Sequence, residues 1–132
     1  MPDVNLLAVL LCGISSMALG ALWYSPMLFA SRWMAGAKLS ESDLAGANMA
    51  LIYGLAFLLS LLAAFVFALF LGRGMELGAA VAYGAAAGIC WVGASFGISY
   101  LFERRSLVHW LINGGYHAIQ FTLFGLILGL MN

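Results

Sequence analysis

The sequence predicts an all-α fold: a four-helix transmembrane bundle with a short amphipathic interfacial helix between the first two spans. Three observations carry that expectation. Of the 132 residues, 65% are hydrophobic and only 8% are charged, against about 25% charged in a soluble protein. So few charges cannot cover a water-facing surface, and the surplus apolar area must face lipid. The charges are also confined to short stretches, at Asp3, 32–43, 73–76 and 103–105. Between them lie four uncharged runs, 4–24, 47–71, 77–101 and 107–131, each of 21 to 25 residues. About 20 helical residues cross a hydrocarbon core of roughly 30 Å, so each run is long enough to span. Residues 1–132 then form a single transmembrane domain.

The first run has no basic residue ahead of it and exceeds the apolar core of a usual signal peptide, so it reads as a retained span. Asn5, Cys12, Ser16, Gly20 and Trp23 share an arc of about 80° on it at 3.6 residues per turn. Trp23 and Tyr24 close the span where an aromatic belt is expected. Ser25-Pro26 follows as a helix start, a capping side chain with proline at the first helical position. From there Met27, Ala30, Trp33, Met34 and Ala37 keep helical spacing with Arg32 and Lys38 at their flanks, which predicts an interfacial helix over 26–37. Ser40 and Asp43 make a capping box ahead of the second span. The loops after spans two and three are about five residues long, so spans two, three and four are expected to be antiparallel neighbours. Cys12 and Cys90 both fall inside spans and read as buried small apolar side chains.

Lipid tails are as apolar as leucine, so helices in a membrane associate through close packing and hydrogen bonds. The 16 glycines fit that need. On the third span Ala80, Gly84 and Gly88 form one small-residue seam. Gly93 and Gly97 form another, which uniform helical geometry places on a nearly opposite face. One seam is expected to receive a helix of the same chain and the other a second copy, giving a homo-oligomer. Gly125 and Gly129 offer a further seam on the fourth span.

The fourth span carries the most informative pattern. His109, Asn113, Tyr116, His117 and Gln120 lie within an arc of about 100°, and hydrocarbon offers such groups no partner, so they are expected to turn inward. Asn5 and Ser16 on the first span, and Trp91 and Ser95 with Ser99 on the third, align by the same arithmetic and complete a candidate pocket or polar network. One reading is a ligand-binding pocket or pathway, with His117 as a proton relay. The other is an interhelical hydrogen-bond network that fixes helix rotation. The two histidines stand roughly 12 Å apart along one helix, too far to share one zinc or copper ion, and the sequence calls for no metal and no cofactor. No catalytic triad can be assembled, and no acidic residue lies within a span as a proton-coupled cation antiporter needs. Zero net charge gives no footprint for nucleic acid. Arg32, Lys38, Arg104 and Arg105 lie on loops one and three, against Arg73 alone on the other side. The positive-inside bias therefore places those loops in the cytoplasm and both termini outside the cytoplasmic membrane.

On Trp23-Tyr24-Ser25-Pro26 within residues 20–29, on Trp33-Met34, on Leu39-Ser40-Glu41 with Asp43-Leu44, on residues 100–107 and on Asn113-Gly114-Gly115-Tyr116, the chain resembles the DUF1761 family of small bacterial membrane proteins. The resemblance covers nearly the whole length. It implies four spans and a cytoplasmic-membrane location, and no substrate. Two functions follow from the residues themselves: a small oligomeric transporter or channel component with the fourth-span stripe along its route, or a non-transporting scaffold or accessory subunit that binds a partner protein through the loop-one helix. An intramembrane enzyme has the least support.

Overall fold

A computed structural model describes residues 3–132. Four of its helices are long and apolar enough to cross a membrane, at Leu6–Trp23, Met49–Leu71, Leu77–Glu103 and Leu107–Met131. In chain order the elements are α1 (Leu6–Trp23), α2 (Ala30–Ala37), α3 (Glu41–Ala45), α4 (Met49–Leu71), α5 (Leu77–Ala86), a π-helical segment (Ala87–Gly93), α6 (Ala94–Glu103) and α7 (Leu107–Met131). Span three is thus α5, the π segment and α6 in one continuous rod.

Polar side chains set most helix starts, each taking a backbone N–H that the first turn leaves without a partner. Asn5 accepts from Ala8, Asn48 from Leu51, and Ser106 from His109. Glu76 accepts from both Gly78 and Ala79. The Ser40–Asp43 capping box forms as the sequence predicts, with reciprocal bonds, but it opens the short α3 rather than span two. Span two starts later, behind Asn48.

Loop one departs from expectation at its start. The helix begins at Ala30, not at Pro26. Ser25 and Pro26 lie in a turn, and the Ser25 hydroxyl donates back to the Leu22 carbonyl at 2.7 Å. The turn folds Phe29 onto Trp23, with ring centroids 4.8 Å apart. A serine that bonds the helix behind it is no longer free to cap the one ahead.

Span four is the hub of the bundle, packed against span three along its length, against span one, and against α2. Span two packs mainly on span one, through Leu61 and Phe57 at Gly13. It buries only Ser60, Ala64, Phe67, Ala68 and Leu71, all in its second half. Spans two and three are joined by a short loop, yet an apolar groove bordered by Phe67, Phe70, Tyr83 and Cys90 runs between them. A short connection forces an antiparallel course; side-by-side packing was the part that did not follow.

The apolar core, with Ala8, Cys12, Ala64, Phe67, Ala68, Ala80, Phe124 and Leu128, occupies the half of the bundle nearer the termini. The polar side chains of span four gather in the other half.

The π segment changes the face arithmetic of span three. A π turn takes in an extra residue, which rotates everything after it by about 100° relative to a uniform α-helix. Ala80, Gly84, Gly88, Gly93 and Gly97 are all buried, so the two expected seams are one. That seam faces span four. A Cβ at Gly84 would fall on the Phe121 carbonyl oxygen, at Gly88 it would lie 2.6 Å from that of His117, and at Gly97 2.8 Å from the Trp110 ring. Gly125 meets the Ala80 carbonyl and Gly129 meets Leu77 from the other side. The seams from which contact between copies was expected are therefore used within the chain.

Candidate functional site

The span-four stripe begins one turn after the Ser106 cap. His109 is 4% exposed and its ring lies against α2, where a Cβ at Gly36 would overlap it. One turn on, Asn113 joins three elements. Its Oδ1 accepts from the Tyr24 hydroxyl at 2.7 Å, and its Nδ2 donates to the Tyr100 hydroxyl at 2.8 Å. The same Nδ2 lies 3.3 Å from His109 Nε2. With Nδ2 as donor, Nε2 is the acceptor and the ring proton sits on Nδ1, which has no hydrogen-bond partner among the described residues.

Aromatic rings enclose this cluster. Tyr24 meets Trp33 edge-on and lies beside Tyr116, both at 5.6 Å between centroids. Tyr100 lies 5.1 Å from His109. The Trp23 indole donates to the Ile112 carbonyl at 2.8 Å and the Tyr116 hydroxyl to the Ser16 carbonyl at 2.9 Å. Arg105 Nη1 donates to the Gly36 carbonyl at 2.9 Å, satisfying an acceptor that the last turn of α2 leaves open.

Deeper in the span, His117 Nδ1 and Gln120 Oε1 are 2.6 Å apart. Gln120 Nε2 donates on to Ser16 Oγ at 2.9 Å. Because the amide oxygen only accepts, the shared proton belongs to the imidazole. Phe96 stacks on His117 at 5.1 Å with 14° between the planes, and Tyr116 meets it edge-on.

The structure therefore brings together His109, Asn113, Tyr116, His117, Gln120 and Ser16, with Trp23, Tyr24 and Trp33 of the interfacial motif. It separates three expected members. Asn5 caps α1 at the opposite end and donates to the Met131 carbonyl at 3.0 Å, closing the terminal side. Trp91 is 66% exposed, and Ser95 is exposed with it; both border an open outward groove with Val92, Phe96 and Ser99. The π segment is the cause, since the extra residue turns this face away from the bundle. Of the interfacial motif, the Ser25 hydroxyl bonds the Leu22 carbonyl at the end of α1, away from the polar cluster, and Pro26 is exposed.

Tyr100, Phe96, Trp110, Gly36 and Arg105 also build this cluster, though the helical pattern of the sequence does not mark them. Trp110 donates its indole N–H to the Gly93 carbonyl at 2.9 Å, and with Tyr100 it faces the bundle only once the rotation within span three is known. Gly36 and Arg105 carry a weaker signal: a glycine inside an amphipathic helix and a cation beside a helix start. Among the described residues no three His, Cys, Asp or Glu side chains converge as a metal site would require.

Four apolar helices around one polar, hydrogen-bonded half define an all-helical, four-span integral membrane protein. Its sequence matches the family described as "Protein of unknown function (DUF1761)" over residues 7–129. The chain belongs to that family. No curated protein and no solved structure matches it.

Proposed function

We propose that the protein is a non-transporting membrane scaffold or accessory subunit, which presents the loop-one segment to a partner protein at the cytoplasmic face. The supporting observation is the use to which the span-four polar groups are put. Asn113 holds Tyr24 at the root of loop one, His109 lies against Gly36 of α2, and Arg105 bonds the last turn of α2. A surface helix held by His109 of span four and Arg105 of loop three, with its root fixed through Tyr24, is a rigid platform rather than a lipid-sliding anchor. Beside it, Met27 at 86% and Leu28 at 46% exposure are apolar side chains available to a partner.

The test is affinity capture of the tagged protein at native expression level. A partner recovered by wild type and lost in Met27→Ser/Leu28→Ser, with the fold retained, is the expected result. No specific partner in either sample overturns the reading. Asn113→Ala is expected to lower stability by about 1–2 kcal/mol, two interhelical hydrogen bonds at roughly 0.6 and at most about 1.7 each, and to weaken capture with it.

A second reading, a transporter or channel component acting as a homo-oligomer, has one observation in its favour. The π segment lies against the His117 turn, with Gly88 packed on the His117 carbonyl, and π turns recur at functional sites. It requires that His117→Ala abolish flux in a protein that still folds, and that crosslinking in native membranes trap more than one copy.

A further inference from the structure

A cleft beside the bundle opens at the ends of spans three and four, where loop three meets α2. It is about 760 Å³ and is bordered by Arg32, Lys38, Arg104 and Arg105, with Glu103 as the one carboxylate on its rim. Arg105 is tied to the Gly36 carbonyl and lies 3.7 Å from Glu103. The described residues give Arg32, Lys38 and Arg104 no carboxylate partner within 4 Å. Four of the chain's five basic residues thus converge on one cleft from two segments more than 60 residues apart in sequence.

Three features say what such a cleft accepts. Its charge favours an anion: four cations outweigh Glu103 and the partial negative charges of the two helix ends that reach it, at Lys38 and Arg104. Lys38 and Arg104 both hold left-handed backbone, φ 59° and 58°, a conformation uncommon for side chains branching from a Cβ, and there they end α2 and α6 with their side chains at the cleft. On its other edge Ser106 and Val108 belong to the start of α7, whose first N–H groups and positive dipole end favour negative charge. Finally, the surface directly beside the cleft is apolar. Leu101, Phe102, Leu107 and Leu111 are 79%, 86%, 63% and 60% exposed. A ligand complementary to both parts has an anionic head and hydrocarbon tails.

We propose that this cleft binds the phosphodiester head group of an anionic phospholipid, whose acyl chains lie along the exposed faces of α6 and the first turns of α7. Arg32 and Arg104 contact the phosphate oxygens, Lys38 contributes charge, and Arg105 holds α2 in place as the far wall. The lipid would bind whether or not loop one also carries a protein partner.

Native mass spectrometry of the full chain, released from detergent carrying equal phosphatidylglycerol and phosphatidylcholine, tests the assignment. One phosphatidylglycerol is expected to stay bound in preference to phosphatidylcholine. Arg32→Gln and Arg104→Asn are each expected to lower that preference roughly fivefold, as for one basic residue near an anionic surface, and the double variant more steeply. Asparagine is chosen at position 104 because it tolerates left-handed backbone. Arg73→Gln, on the opposite side and paired with Asp3 at 3.0 Å, should leave the preference unchanged; a fall as large as that of Arg104→Asn would show a nonspecific charge effect and overturn the site. Equal retention of the two lipids overturns it as well. Loss of bound phosphatidylglycerol to millimolar inorganic phosphate would identify a free anion as the ligand and overturn the lipid assignment.

Discussion

A glycine at a helix crossing has a different energetic meaning from a glycine facing lipid, and span three and span two provide one of each. At Gly84 an added Cβ would overlap the Phe121 carbonyl oxygen and lie 3.3 Å from the Gly125 nitrogen. Both are backbone atoms, which cannot move aside as the end of a side chain can. At Gly54 nothing lies within 4 Å. Gly84→Ala must therefore force the helices apart and is expected to cost about 3 kcal/mol or more, at or above the upper end for overpacking. Gly54→Ala removes a helix-interior glycine and is expected to be neutral or stabilising by up to ~1 kcal/mol. Thermal unfolding of both variants in the same detergent measures the contrast; similar losses at the two positions would show that the span-three seam is not the contact described here.

At the level of elements, the starts of α3 and α5 depend on carboxylates that stay charged. Glu76 caps α5 with both carboxylate oxygens, and bonds from the Gly78 and Ala79 N–H groups hold its pKa below the usual glutamate value. Asp43 is lowered likewise by the Ser40 N–H and hydroxyl. A group whose folded pKa is depressed stabilises the fold above its unfolded pKa, and that contribution is lost as pH falls through the folded value. Glu76→Gln is accordingly expected to melt below wild type at pH 7. The gap should close below pH 4.5, the ordinary glutamate value, once wild type is protonated as well. A gap that persists at low pH would mean that the glutamate acts by packing, not by charge.

The elements also show what the sequence makes legible. The number of spans follows from hydrocarbon thickness and the placing of charge, and four helices long and apolar enough to cross a membrane form where the four uncharged runs lie. The span-four stripe follows because one uninterrupted α-helix carries all five residues, so angular arithmetic is valid along it. The same arithmetic fails for Trp91 and Ser95 because a π turn intervenes. The seam itself held the clue. Spacings of four, four, five and four from Ala80 to Gly97 keep small residues on one face only if the five-residue step is a π turn. Ser25-Pro26 misleads for another reason: a capping serine and a serine that closes the previous helix look alike in sequence, and only the fold of Phe29 onto Trp23 decides between them.

For the whole molecule, the division into a polar half and an apolar half bears on how the protein sits in its membrane. The half with Tyr24, Trp33, Tyr100 and Trp110 ends in the basic cleft, and the half with Phe124 and Leu128 ends at Arg73, Asp3 and the Asn5–Met131 closure. Cytoplasmic retention of Lys and Arg in short loops acts on the first of these ends with four cations and on the second with one. We therefore expect loops one and three on the cytoplasmic side. The measurement is labelling of single cysteines by a membrane-impermeant maleimide, in a chain whose two native cysteines are replaced by alanine. Ser42→Cys lies on exposed α3 and Asn132→Cys at the opposite end. In intact cells whose outer face is accessible, the second should label and the first only after lysis. The reverse pattern would put the basic cleft outside and remove the cytoplasmic partner. Labelling of both sites before lysis would mean a mixed orientation, which a four-to-one asymmetry of basic residues should not permit.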